Sequence, residues 1–201
     1  MNRIVVACAA IVTTCAVAAT PAFAKTGKPK PPKPQITDPS GDWAVPSEDI
    51  TSVTFSATKR LATIDLGLTA PPATGVFSGY SVGFQLGCDW YAVDYSWTGI
   101  NQSSALTLNL YKGLGCGLSG PGGIVAGFQP THAFPATAAP TAHGVRFTFA
   151  TFAGLRPGTV VQYMNAETAV ADRAVGTNDG STFYTDGDLA FGNGRFTLPN
   201  S

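Results

Sequence analysis

Histidine is scarce in this 201-residue chain, which contains only His132 and His143. Gly-x-Ser-x-Gly occurs once, at residues 79–83, but it runs into a predicted strand instead of a strand-to-helix turn, and His-Glu-x-x-His does not occur. The glycine-rich residues 113–123 lack Gly-Lys-Ser/Thr, which argues against a phosphate-binding loop. These observations leave no recognisable catalytic set, and we expect a protein that is not an enzyme.

Helical periodicity is also lacking, because no apolar stripe with a 3.6-residue period extends over three turns. Short runs of alternating apolar and polar residues are frequent instead, and glycine, proline, serine and threonine separate them. This pattern predicts an all-β fold, an antiparallel β-sandwich of jelly-roll or immunoglobulin-like type, in a single domain at residues 36–201. The predicted strands are residues 51–58, 61–69, 80–86, 90–97, 105–111, 124–128, 145–151, 160–165 and 195–198.

Two segments have the composition of irregular structure rather than of strands. Residues 129–143 contain three prolines and several alanines, which predicts a surface loop. Residues 168–187 carry scattered charge and a Gly-Thr-Asn-Asp-Gly sequence, which predicts a long irregular excursion.

The N-terminus has the three parts of a secretory signal peptide. A positive start, an apolar run at residues 4–19 and Ala22-Phe23-Ala24 predict cleavage after residue 24 and a secreted protein with no transmembrane segment afterwards. Removal of residues 1–24 leaves two cysteines, Cys88 and Cys116, of the four in the chain. In an oxidising compartment these two are expected to form a disulfide, the alternative being two free thiols.

Charge is distributed unevenly between residues 25–35 and the domain that follows. Residues 25–34 contain four lysines and four prolines, which favours a semi-rigid polyproline II linker, either a spacer or a disordered tail. Five of the 12 basic residues precede residue 35, so seven remain in the domain against 12 acidic ones, a net charge of −5. An acidic domain is a poor nucleic-acid binder and a reasonable cation binder.

Acidic turns lie near both ends of the domain. Asp38 and Asp42 belong to an Asp-Pro-Ser-Gly-Asp turn, whereas Asp186 and Asp188 lie close to the C-terminus. First and last strands of a sandwich are often neighbours, so these four carboxylates can converge on calcium, which prefers six to eight oxygen ligands. The alternative is turn chemistry alone, because aspartate next to glycine or proline favours bends.

Aromatic residues are concentrated in residues 88–97. Strand alternation places Tyr91, Val93, Tyr95 and Trp97 on one face and Trp90 and Asp94 on the other. One hypothesis is a carbohydrate-binding surface in which Trp43, Trp90 and Trp97 stack on sugar rings and Asp94 binds hydroxyl groups. The alternative is that the Tyr91 face forms the hydrophobic core.

The opening of the domain resembles a known family. Asp38-Pro-Ser-Gly-Asp42, a spacer, Asp49-Ile-Thr-Ser-Val-Thr-Phe and the next alternating strand are similar to the start of a family 9 carbohydrate-binding-module-like, or DOMON-like, β-sandwich of exported bacterial proteins. The resemblance implies a structural calcium, with Asp38 and Asp42 among its ligands, and binding of a sugar or small ligand. Haem-binding relatives use a Met/His pair, and Met164 has no matching histidine.

Three functional hypotheses follow from these features. The first is a secreted, monomeric, calcium-stabilised binding module for carbohydrate or another cell-surface component. The second is a structural or protein-interaction module of the cell envelope. The third is an extracellular hydrolase, for which Asp89, Asp94 and Glu167 are the mid-chain carboxylate candidates.

Overall fold

The structure is a computed structural model that describes residues 32–73, 77–98, 105–117, 129–171, 187–192 and 194–199. It contains twelve strands and one short helix: β1 (Ile36–Thr37), β2 (Ile50–Ala57), β3 (Leu61–Leu68), β4 (Phe77–Leu86), β5 (Asp89–Thr98), β6 (Ala105–Tyr111), α1 (Leu114–Gly117), β7 (His132–Thr141), β8 (Gly144–Ala150), β9 (Val160–Val161), β10 (Tyr163–Ala171), β11 (Leu189–Phe191) and β12 (Phe196–Thr197). The prediction of an all-β, antiparallel fold is confirmed.

The β2–β3 hairpin follows directly from the sequence pattern. Its tight turn is held by Thr58, whose hydroxyl oxygen accepts hydrogen bonds from the backbone N–H groups of Arg60 and Leu61. The register pairs Ala57 with Ala62, and the alternating apolar residues of both strands are buried. These are Val53, Phe55, Ala57, Ala62, Ile64, Leu66 and Leu68.

Ten strands form one nearly closed, barrel-like sheet rather than two clearly separate layers. Their order is β1-β2-β3-β8-β7-β6-β5-β4-β10-β11, and β9 and β12 form a separate two-stranded sheet. The first and last strands of the large sheet approach each other, because a Cβ atom added to Gly192 would lie 3.6 Å from Cγ1 of Ile36. We call this junction between β1–β2 and β10–β11 the seam.

The core lies on the inner side of the large sheet and is rich in aromatic side chains. The ring centroids of Phe55 and Phe84 are 4.9 Å apart, and Phe84 stacks on Tyr91 at 5.2 Å. Tyr91, Val93 and Tyr95 are all buried, so the alternative that this face of β5 forms the core is confirmed. Aromatic side chains bury more apolar area than most others.

Ten of residues 129–143 form the strand β7 (His132–Thr141), so the prediction of a surface loop for this segment is wrong. Prolines fit because β7 is staggered: residues 132–137 pair with β6, whereas residues 136–141 pair with β8. Pro135 and Pro140 therefore each lie in a half of β7 that has a partner strand on one side only. A proline, which has no N–H to donate, is tolerated where one side of its strand is unpaired.

Other differences concern the ends of the domain. The strands β1 and β11 are additional to those predicted, and β10 continues to Ala171, into the segment predicted to be irregular. The predicted strand at residues 124–128 lies outside the described residues. Among the described residues, no helix has the length and apolar character needed to cross a membrane.

The disulfide fastens a small cap to the outer side of β5. Cys88 and Cys116 have their Cα atoms 4.8 Å apart and their sulfurs at bonding distance, in agreement with the predicted pairing. The N–H of Gly115 in α1 donates to the carbonyl of Cys88 at 2.9 Å. Leu114 packs with Trp90 and Ala92 in a second small apolar cluster on this side of the sheet.

Gly144 should be the least replaceable glycine of the sheet. Its φ is +142°, and an added Cβ would lie 1.8 Å from the carbonyl oxygen of Leu66 on the neighbouring strand. We expect Gly144→Ala to lower the free energy of unfolding by about 3 kcal/mol or more, through overpacking and backbone strain. Urea denaturation measures this change.

Gly87→Ala is the matched control, because Gly87 also has a positive φ, +61°, but has open space where a Cβ would lie. It should cost only about 1–2 kcal/mol. Equal losses for the two variants would show that the close approach of β3 and β8 at Gly144 is not a constraint.

Candidate functional site

Three acidic side chains from opposite ends of the domain meet at the seam. Asp38 follows β1, Asp42 ends the turn that comes next, and Asp188 precedes β11. One carboxylate oxygen of each lies within 4.8 Å of those of the other two. The structure thus brings together three of the four residues predicted as calcium ligands, while Asp186 lies outside the described residues. We call these three the seam carboxylates.

The first two seam carboxylates are positioned by a glycine turn. Gly41 has a φ of +85°, a conformation that glycine adopts without a Cβ penalty. Its N–H donates to Oδ2 of Asp49 at 2.6 Å, which fastens the turn to the start of β2. The N–H of Asp38 donates to the carbonyl of Thr51 at 3.0 Å. The turn is therefore fixed against β2 at two points.

Asp188 joins the two ends of the sheet. Its Oδ2 accepts a 2.7 Å hydrogen bond from the N–H of Ile50, the first residue of β2, and its Oδ1 accepts one from the N–H of Leu189. The neighbouring Thr168 of β10 donates its hydroxyl to the carbonyl of Glu48 at 2.7 Å. The hydroxyl oxygen of Thr168 also accepts from the N–H of Asp188 at 3.0 Å. These bonds hold the last strands against the first.

The pKa values of Asp38 and Asp42 reflect the crowding of the seam carboxylates. Loss of hydration is the main cause that raises the pKa of Asp38, and the negative charges of Asp188 and Asp42 raise it further. Loss of hydration also raises the pKa of Asp42, followed by its contact with Asp49 and the charge of Asp188. Nearby like charges disfavour the ionised form of each group. A bound cation would remove this penalty.

Asp49 is a buried fourth carboxylate beside the same turn. Its side chain is 1% exposed, and Oδ2 accepts from the N–H of Gly41 and from the hydroxyl of Thr69. Burial acts to raise the pKa of Asp49, but the hydrogen bonds from Thr69 and Gly41 outweigh it and lower the pKa. Oδ1 is buried and has no hydrogen-bond partner among the described residues. A buried charged oxygen without a partner is costly, and a cation bound beside it would offset that cost.

The predicted sugar-binding tryptophans have different surroundings. Trp90 is only 7% exposed, and its ring lies over Gly83 and beside Tyr163, with centroids 5.9 Å apart. Trp43 is half-buried, and its Nε1–H donates to Oε2 of Glu48 at 3.1 Å. The side chain of Trp97 lies outside the described residues. Trp90 therefore packs within the cap cluster, where little of its ring is available for stacking on a sugar.

A different set of side chains is exposed on the outer side of the sheet. Phe191 and Leu189 of β11 are 40% and 45% exposed, and they lie opposite Asn165 and Glu167 of β10. With Asp94 of β5 they make up what we call the outer face. The sequence analysis did not identify Phe191, Leu189 or Asn165. The sequence signal for the outer face is the alternation in β10, where Tyr163, Asn165 and Glu167 lie on one side of the strand.

The candidates for hydrolase chemistry lie partly on this face. Asp94 and Glu167 are both paired with Ser81, which lies between them on β4. Two strand spacings separate their backbones, roughly 10 Å. Asp89 has a structural role, since its Oδ1 accepts from the N–H of Gly113 at 3.0 Å.

A comparison of this chain with protein-family models, curated proteins and solved structures finds no match. The resemblance to the carbohydrate-binding-module-like family therefore rests on the sequence motif.

The charge of Glu167 should contribute to the raised pKa of Asp94. Asp94 reaches solvent, but neighbouring protein atoms displace part of its hydration; this desolvation is the larger cause and the charge of Glu167 the smaller cause of its raised pKa. We therefore expect Glu167→Gln to lower the pKa of Asp94, measured by NMR titration of the Asp94 carboxyl carbon. A carboxyl with a raised pKa stabilises the fold at low pH, and that contribution is lost as the pH rises through the raised value. In Glu167→Gln, the decrease in stability as the pH rises should therefore be smaller.

Asp65→Asn is the control for this titration, because Asp65 forms its ion pair with Arg146 on β8, away from the outer face. It should leave the pKa of Asp94 unchanged. An Asp94 titration curve that is identical in Glu167→Gln and in the unaltered chain would contradict the electrostatic coupling.

Proposed function

We propose that this chain is a secreted, non-catalytic, all-β binding module whose seam is held by a calcium ion. The observation that carries the proposal is the convergence of Asp38, Asp42 and Asp188 from the two ends of the domain. The buried and unpartnered Oδ1 of Asp49 beside the same turn supports it independently.

The chemistry of the donors favours a hard cation. The seam carboxylates offer oxygen ligands only, and oxygen ligands suit calcium, magnesium and manganese rather than zinc or copper. Calcium accepts irregular sets of six to eight oxygens, which carboxylates, backbone carbonyls and water can complete here. Magnesium requires a nearly ideal octahedron, which a turn and a strand end from distant parts of the chain satisfy less readily.

Export is compatible with both the disulfide and the cation. The signal-peptide pattern leads to an oxidising compartment, where a bond between Cys88 and Cys116 persists. Extracellular modules commonly bind calcium with dissociation constants of roughly 10⁻⁴–10⁻³ M. A partly exposed site with three carboxylates is sufficient for calcium binding in that range.

The ligand that we propose is a carbohydrate or another cell-surface component. The outer face supports this proposal, since Phe191 offers an exposed ring and Asn165, Glu167 and Asp94 offer polar groups beside it. The sandwich of the carbohydrate-binding-module-like family remains a prediction, because the ten strands follow one another in a single continuous order.

A calcium-dependent rise in thermal stability is the direct test. At about a hundred times its dissociation constant, calcium should stabilise the fold by about 2.7 kcal/mol. For a domain of this size, that corresponds to an increase in Tm of about 5–10 °C relative to excess chelator. Differential scanning calorimetry of the disulfide-bonded chain measures the shift.

Two variants make the test specific. Asp42→Asn should abolish most of the calcium-dependent shift, yet should be at least as stable as the unaltered chain in chelator, because one of the repelling charges is gone. Asp65→Asn removes a remote surface carboxylate and should keep the full shift. Superimposable melts of the unaltered chain with calcium and with chelator would reject the proposed cation site.

A further inference from the structure

The outer face is both apolar and acidic. Phe191 and Leu189 are exposed on β11, and Glu167 and Asp94 are exposed on β10 and β5. The four strands β4, β5, β10 and β11 contain no lysine or arginine. Such a surface fits a partner that is positively charged and has apolar groups of its own.

The strand register places the apolar and acidic groups side by side. Phe191 lies opposite Asn165 and Leu189 lies opposite Glu167. Directly paired residues point to the same side of a sheet, and the intervening Ala166 and Ala190 are buried on the inner side. The two exposed apolar side chains therefore border the carboxylates on the solvent side.

The lysine- and proline-rich residues 25–34, which we call the arm, reach the sheet at the edge of this face. The described chain begins at Pro32, with Lys33 and Pro34 exposed, and enters β1 at Ile36. Ile36 is the residue that a Cβ on Gly192 would approach at 3.6 Å, and Gly192 directly follows Phe191. The arm therefore leaves the domain next to β11.

The arm is long enough to cross the face. In the polyproline II conformation, residues 25–33 span about 28 Å at about 3.1 Å per residue. From β1 across β11, β10 and β4 to β5 is four strand spacings, about 19 Å. Glu167 also lies at the level of Leu189, about three residues or roughly 10 Å along the strands from Gly192, so the lysines farthest from β1, Lys25 and Lys28, are the ones that can approach Glu167 and Asp94.

The chemistry of the arm matches that of the face. It carries Lys25, Lys28, Lys30 and Lys33, whereas the domain has a net charge of −5. Proline-rich segments dock on aromatic surfaces because the polyproline II conformation is formed in advance and loses little entropy on binding. Covalent attachment beside the face adds a high effective concentration.

We propose that the arm docks on the outer face of its own chain, with its prolines on Phe191 and Leu189 and its lysines beside Glu167 and Asp94. Docking of the arm keeps Phe191 and Leu189 from associating with exposed strand edges of other molecules.

Zero-length carbodiimide cross-linking tests this docking on the intact disulfide-bonded chain. The reagent joins a lysine amine to a carboxylate only when the two are in contact, and digestion with mass spectrometry identifies the pair. In dilute, low-salt solution we expect cross-links from Lys25, Lys28 or Lys30 to Glu167 or Asp94. Their yield should fall by roughly threefold or more in about 1 M salt, where the Debye length is about 3 Å.

Variants separate the parts of the proposal. Phe191→Ala should lower the yield of these cross-links severalfold. Because Phe191 is exposed, we expect this variant to fold correctly. Leu61→Ala is the matched control, because Leu61 is a similarly exposed apolar residue, 50% accessible, on β3. It should leave the yield unchanged, and circular dichroism confirms that both variants are folded.

Three outcomes would overturn the proposal. The first is the absence of arm cross-links to Glu167 and Asp94. The second is an equal yield of cross-links to Asp65 on the remote β3, which would indicate non-specific attraction. The third is that, in a mixture of ¹⁴N- and ¹⁵N-labelled chains, the cross-links join different copies, which would assign the arm to a neighbouring molecule.

Discussion

The seam is the constraint on which the rest of this structure depends. A ten-stranded sheet with a buried inner side needs its first and last strands brought together. Here Asp188 accepts a hydrogen bond from the N–H of Ile50 at the start of β2, and Thr168 donates one to the carbonyl of Glu48. The inner aromatic residues, such as Phe55 and Phe84, remain shielded from solvent only while that junction is closed. The cost is electrostatic, because closing the seam brings Asp38, Asp42 and Asp188 together. A calcium ion would convert this repulsion into attraction.

The two sides of the sheet are organised by different interactions. The inner side is a continuous aromatic and aliphatic core, whereas the outer side is covered locally by the disulfide-linked cap around Trp90 and Leu114. Beyond the cap the outer face remains exposed, with carboxylates beside Phe191 and Leu189. The seam and the outer face meet at β11, so one short strand connects the proposed cation site to the proposed docking surface. Ligand binding at the face and cation binding at the seam are thus expected to influence each other.

Much of the fold was predictable from the sequence, for identifiable reasons. Strict alternation in β2 and β3 specified both the hairpin and its buried face, and the closeness of first and last strands correctly suggested that Asp38, Asp42 and Asp188 approach one another. The strand β7 was missed because its prolines are tolerated only through a stagger between two neighbours, which is a tertiary property. The burial of Trp90 was equally unpredictable, since it depends on a cap held by a distant cysteine.

The central claim, a cation held at the seam, is tested most directly by terbium luminescence. Terbium replaces calcium at oxygen sites, and Trp43, which directly follows Asp42 in the chain, can transfer its excitation to a bound ion. The account predicts strong tryptophan-sensitised emission that calcium displaces, that Trp43→Phe weakens and that Asp42→Asn largely removes. Emission no greater than that of the Asp42→Asn variant, at terbium concentrations up to the millimolar range, would contradict the account.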